Sequence, residues 1–199
     1  MSRVSAFVLA GGKSSRMGQD KALLDVNGQT LLARMVAVAS AVTSEVAVVG
    51  NADKFAQFGR VIEDAYPGHG PLAGIHTALT SSENDLNLIL GVDLVFMRPE
   101  FLKFMIGIAE ESPAHVVVPQ IGDRLQPLCA VYKRSFAGIA ERALREGRNK
   151  ITALFEAEFT RIIEENESVA AGFEPEMFHN VNTPEDWEQA RRSLILGSQ

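Results

Sequence analysis

The chain has 199 residues, 46% of them hydrophobic, which is enough for one well-filled domain and short for two. A formal net charge of −6 with no long basic run argues against broad nucleic-acid or anionic-membrane binding, so a polyanionic ligand would need a local positive site. The lone cysteine, Cys129, excludes an intrachain disulfide, the apolar run Leu86 to Phe96 is interrupted by Asn87 and Asp93, and the N-terminus lacks a signal-peptide pattern. These features make a soluble cytoplasmic protein the expectation.

Short apolar runs rich in β-branched residues alternate with segments of helical period, the pattern of an α/β domain with a mostly parallel sheet. The first strand is predicted over Val4 to Leu9. Leu31, Leu32, Met35, Val36 and Ala39 recur at helical spacing after Thr30, a suitable N-cap. EVAVVG (45–50) and RVIED (60–64) read as two further strands. PLAGIHTALTSS (71–82) opens with a proline suited to a first helical turn, and LNLILGVD (86–93) has the near-continuous apolar character of a central strand buried on both faces. Another helix is predicted from Pro99. A strand pair follows over 114–120 and 127–133 with a turn at Gly122-Asp123, then helices near 134–146 and 149–156. The chain ends with a strand over 161–165, a turn over 178–186 and an amphipathic helix. No repeat, low-complexity tract or long linker divides it, so a single domain spanning 1–199 is expected.

The segment LAGGKSSRMGQDKALL (9–24) follows the first strand and carries Lys13, Arg16 and Lys21 against Asp20 alone, a net of +2 inside an acidic protein. A glycine-rich turn after a strand is how α/β proteins wrap backbone N–H groups around a phosphate, and Gly11 and Gly12 permit close main-chain approach. A P-loop fails here: Gly12, Lys13 and Ser14 fit its end, but its first glycine would fall on Phe7. The dinucleotide pattern G-x-G-x-x-G is also absent. What remains is a loop whose glycines precede an arginine and a lysine spaced to reach successive phosphates.

The ordered set Leu9, Ala10, Gly11, Gly12, Ser14 or Ser15, Arg16, Met17, Gly18 and Lys21 resembles the signature of nucleotidyltransferases that move a nucleoside monophosphate from an NTP. HGPLAGIHTAL (69–79), QPLCAVY (126–132) and NVNTPED (180–186) each resemble the corresponding segments of the molybdenum cofactor guanylyltransferases of the MobA type. The related cytidylyltransferases usually carry alanine at the position of Gly11 and lack the G-P-L-A-G run. One departure stands out: the family commonly has D-x-P after its central strand, whereas this chain reads Asp93-Leu94-Val95. The resemblance implies a three-layer, Rossmann-like nucleotidyltransferase domain. It also implies transfer of GMP from GTP to molybdopterin, with Mg²⁺ as cofactor and pyrophosphate as leaving group.

The partners so implied are GTP and molybdopterin or Mo-molybdopterin, with molybdoenzyme-maturation proteins as further candidates. No nucleic acid or membrane is expected, and the chain should be a monomer or weak oligomer. Two rivals stay open. One is a nucleotidyltransferase that uses CTP or UTP with another phosphorylated acceptor. The other is a non-catalytic GTP-binding regulatory protein, motivated by the altered loop after Asp93.

Nucleotidyl transfer builds negative charge on the α- and β-phosphate oxygens, so positioning and fixed positive charge dominate catalysis. Lys21 and Arg16 are the candidates for holding the triphosphate, with Lys13 a third. Asp93 ends the central strand, where open α/β sheets place ligand groups, and its carboxylate suits Mg²⁺. An ordinary turn or cap aspartate is the plain alternative; the resemblance puts the family's metal ligand here. The resemblance also implies nucleotide contacts for Asn51 and Asp64, against a default of Asx-turn and strand-end turn. Leu9, Ala10 and Gly11 are expected to meet the base through main-chain groups, with Gly70 to Gly74 as the opposite lip. Asn180 and Asn182 share one face of an extended segment, which in the family lies beside the acceptor phosphate. Thr183, Pro184 and Asp186 meanwhile form a helix start. Gln126 is a lesser candidate for touching the pterin. The four histidines show no metal-ligand spacing, and no nucleophile elbow surrounds Ser14 or Ser15.

Overall fold

A computed structural model of the chain describes residues 3–11 and 20–196. Gly12, Lys13 and Arg16, three of the expected site residues, therefore lie outside the described residues. Strand β1 (Val4–Leu9) shows why a sheet forms with helices on both sides. Val4, Ala6 and Val8 enter one hydrophobic cluster while Phe7 and Leu9 enter another, as the two-residue period of a strand requires. Helix α1 (Leu31–Ser40) covers the first cluster and is capped by Thr30, whose hydroxyl accepts the Ala33 N–H at 3.2 Å. Between β1 and α1 lies an unforeseen hairpin of β2 (Asp25–Val26) and β3 (Gln29–Thr30). Its turn is Asn27-Gly28, with φ of 53° and 80°, the left-handed pair that a two-residue hairpin needs.

The chain then runs through β4 (Glu45–Val49), the short α2 (Ala52–Phe55) and β5 (Val61–Ile62), shorter than the expected 60–64. Helix α3 (Pro71–Thr80) crosses over to β6 (Leu86–Gly91), in which every residue is buried. Helix α4 (Pro99–Glu111) leads to β7 (Val116–Ile121), β8 (Arg124–Leu125) and β9 (Cys129–Lys133), joined through the expected Gly122-Asp123 turn. Helix α5 (Phe136–Arg145), β10 (Thr160–Ile163), α6 (Glu165–Ala170) and α7 (Pro184–Leu196) complete the fold. The sheet order is β10-β7-β9-β6-β1-β4-β5, with β8 on β7. Strands β4 and β6 both pair parallel to β1, and β9 runs antiparallel between β6 and β7. Helices α1, α4 and α7 pack on one face and α3 and α5 on the other, giving three layers.

Two expected elements differ. The helix near 149–156 is a 3-10 turn over Ile151–Leu154, whose buried apolar ends are three residues apart and match a three-residue repeat. The expected strand 161–165 stops at Ile163, and Glu165 instead starts α6, where acidic residues favour a helix N-terminus. Among the described residues no helix is long and apolar enough to cross a membrane.

The topology also dictates where a ligand can enter. From β1 the chain moves outward to β4 and β5, then returns through α3 to β6 on the other side of β1. That reversal opens a crevice at the carboxyl ends of β1 and β6, where Leu9 and Gly91 are paired.

Candidate active site

A cleft of about 970 Å³ occupies that crevice. Its floor and walls come from Leu9 to Gly11 after β1, Gly50-Asn51 after β4, Glu63-Asp64 after β5 and Gly91 to Asp93 after β6. Gly68, Gly70, Pro71 and Gly74 form the α3 side, and Lys21 and Asn182 reach in from segments far apart in the chain. A second hollow of about 610 Å³ on the outer face of α7 holds none of the expected site residues.

Lys21, Asp93 and Asn182 meet in the cleft. Lys21 begins a 3-10 turn, Lys21–Leu23, capped by Asp20, whose Oδ1 accepts the Ala22 N–H at 3.2 Å. The other carboxylate oxygen of Asp20 pairs with Lys54 on α2 at 3.1 Å, which ties this turn to the β4 side of the cleft. From that turn the Lys21 ammonium donates to Asn182 Oδ1 at 3.0 Å and lies 3.4 Å from Asp93 Oδ2. Both charged side chains are mostly covered, at 16% and 20% exposure. At 3.4 Å the Lys21–Asp93 contact is long for a hydrogen bond, so the pair is a loose one.

Asp93 owes its position to the residues on either side. At Gly91 an added Cβ would stand 2.6 Å from Asp93 Oδ1, so the carboxylate folds back into space that only glycine leaves. This requirement was missed in the sequence, although an isolated glycine in a strand signals close approach. Beyond the acid, Leu94 and Val95 are buried, and Arg34 of α1 donates its Nε–H to the Val95 carbonyl at 2.9 Å. The Asp93 carbonyl accepts the Val181 N–H at 3.3 Å. The loop that lacks the family's proline is thus anchored by core packing and an arginine.

Gly91→Ala should separate fold from activity. The group it displaces is the tip of a side chain and not backbone, so the melting temperature should stay near wild type. Moving the carboxylate by about 1 Å should lower turnover about 10²-fold. Thermal melting and steady-state rates on the same preparation test this.

The other expected residues divide into those on the cleft and those off it. Leu9, Ala10 and Gly11 line it, as do Gly70 and Gly74. Gly74 lets α3 approach β1, since a Cβ there would press on Leu9 at 3.3 Å. Asn51 and Asp64 line the cleft but also do local work. Asn51 caps α2 by accepting the Lys54 N–H at 2.9 Å. Asp64 Oδ1 accepts the Tyr66 N–H at 2.9 Å and the Thr77 hydroxyl at 3.2 Å. Gln126 and Asn180 are not in the lining, and the Gln126 amide turns to the Arg124 carbonyl of its own loop. Asn180 is exposed, next to buried Val181.

The helix start at Thr183 is reciprocal. Asp186 accepts the N–H groups of Asn182 and Thr183, each at 2.9 Å, and its own N–H donates to Thr183 Oγ1 at 3.1 Å. The Asn182 N–H, then that of Thr183, holds the Asp186 carboxyl below its usual pKa. Among the described residues no three His, Cys, Asp or Glu side chains gather as a metal cage, and no histidine lines the cleft. Asp93 is a single carboxylate beside open space. That donor set fits Mg²⁺, which takes one or two carboxylates and fills its shell with water and phosphate oxygens.

The family model described as "MobA-like NTP transferase domain" matches residues 6–162. A protein of Pelotomaculum thermopropionicum named "Probable molybdenum cofactor guanylyltransferase" is 36% identical over 195 residues, covering 96% of this chain and 93% of its own. One from Desulfosudis oleivorans named "Molybdenum cofactor guanylyltransferase" is 32% identical over 200 residues, covering 99% and 98%. The crystal structure of molybdopterin-guanine dinucleotide biosynthesis protein A from Archaeoglobus fulgidus superposes with a TM-score of 0.84 at 26% identity. That match covers 96% of this chain and 98% of the other.

Proposed function

The chain belongs to the MobA-like NTP transferase family, and on that premise we propose that it is a Mg²⁺-dependent guanylyltransferase, transferring GMP from GTP to molybdopterin. The observation that carries this reading is the meeting of Lys21, Asp93 and Asn182 at the mouth of β6, with the main chain of Leu9 to Gly11 beside them. A cation, a carboxylate and an amide at one point are what a metal-bound triphosphate facing a second phosphate needs.

In the proposed complex the main chain of Leu9, Ala10 and Gly11 reads the base, with Asn51 and Asp64 beyond the ribose. Gly70 and Gly74 keep the opposite lip low enough for a flat ring. Lys21 holds the α- and β-phosphates, helped by Gly12, Lys13 and Arg16. Asp93 would hold Mg²⁺, which neutralises phosphate charge when bound. Asn182 orients the acceptor, and Asn180 and Gln126 serve the pterin only from outside the cleft lining. The phosphate oxygen of molybdopterin forms a bond to the α-phosphorus of GTP as the bond to the β-phosphate oxygen breaks, and pyrophosphate carries away the electron pair. That nucleophile is already anionic at neutral pH, so a cleft without histidine is no handicap. Lys21 stabilises the charge that grows on the leaving group.

The Asp93-Leu94-Val95 sequence keeps its acid in the cleft, which supports the catalytic reading over a non-catalytic one. The test is pyrophosphate release with molybdopterin and each of GTP, ATP, CTP and UTP in the presence of Mg²⁺. Turnover with GTP is expected; turnover with CTP or UTP and none with GTP would overturn the assignment.

A further inference from the structure

Asp186 does more than cap a helix. In a capping box the residue at this position returns a bond to the N–H of the N-cap itself, here Thr183. The Asp186 carboxylate also takes the N–H of Asn182, one residue upstream of the cap, and that bond adds nothing to the helix. What it does fix is the backbone that carries the Asn182 amide. On the other side, Val181 is buried, and its N–H is bonded to the Asp93 carbonyl. Asn182 is thus pinned from both neighbours, and its Oδ1 receives the Lys21 ammonium at 3.0 Å.

We propose that Asp186 is a positioning residue for nucleotidyl transfer: by holding the Asn182 backbone it makes the Asn182 side chain keep the Lys21 ammonium beside Asp93. The inference rests on the guanylyl-transfer reading above and deepens it. The two backbone donors favour the ionised carboxylate, so the hold is in force at neutral pH. Its effect passes through three contacts in series, Asp186 to Asn182, Asn182 to Lys21 and Lys21 to Asp93. Without the carboxylate, water can satisfy the exposed Asn182 N–H, but water does not fix where the amide points.

The test is a set of variants assayed for pyrophosphate release from GTP with molybdopterin, each with its melting curve. Asp186→Ala should lower kcat about 10-fold or more, because a small misplacement of a charge-stabilising group is costly. KM for GTP should stay within about threefold, the signature of an interaction used mainly in the transition state. Thr183→Ala removes the other half of the cap but leaves the Asn182 bond, so it should lower the melting temperature and spare kcat. In the Asn182→Ala background, Asp186→Ala should cost nothing further, since both act through the same contact. If the alanine variant is unfolded at the assay temperature, the whole cycle is run at a lower temperature at which its melting curve shows it folded. Wild-type kcat in the Asp186 variant, an equal kcat loss in Thr183→Ala, or losses that multiply in the double variant would each overturn the proposal. Failure of the wild-type protein to turn over GTP would instead defeat the guanylyl reading itself.

Discussion

Lys21→Ala is expected to lower turnover by about 10²- to 10³-fold, the usual cost of removing one fixed donor that faces developing oxyanion charge. The ammonium is held by Asn182 and Asp93 before any ligand arrives, so the enzyme does not have to order a four-carbon side chain during the reaction. Asp93 and Asn182 both lie on the open cleft, so the variant should remain folded, with a cooperative melting curve. Rates within about threefold of wild type would show that Lys21 does not face the transferred phosphate.

Asp93→Ala is expected to cost at least as much. A divalent ion on a phosphoryl oxygen contributes several kcal/mol to the transition state, which is about 10²-fold or more in rate. Lys21 would keep Asn182 as a partner, so the variant should fold. The informative measurement is the rate as a function of Mg²⁺ concentration: the variant should stay slow, or need far more metal. A Mg²⁺ response matching wild type would remove Asp93 from the metal site. Together with Gly91→Ala, which keeps the carboxylate and only moves it, this variant distinguishes the presence of the acid from its placement.

What could be read from the sequence was what depends on neighbours in the chain. The two-residue alternation of β1, the unbroken burial of β6 and the Thr30 cap are local patterns, and they appear where those patterns lie. The Asn27-Gly28 hairpin is equally local, an N-G pair that itself signals a two-residue turn. The Gly91 signal was local too, but its meaning depends on how the Asp93 side chain turns back, which no spacing rule states. Contacts between distant segments were out of reach. Lys21 and Asn182 are 161 positions apart, and only the return of β6 beside β1 and the docking of α7 bring them together. Gln126 and Asn180, whose motif context points to the site, do not line the cleft, and the Gln126 amide donates to the Arg124 carbonyl of its own loop. Local competition for side chains was visible only in part: Asn51 and Asp64 line the cleft and satisfy nearby N–H groups as well.

The most direct test of the account is a crystal structure of the protein with GTP and Mg²⁺. The expected result is a triphosphate within hydrogen-bond reach of Lys21 Nζ, a metal ion on Asp93, and a guanine against the Leu9 to Gly11 main chain. A nucleotide bound away from the crevice between β1 and β6, or a metal held without Asp93, would contradict it.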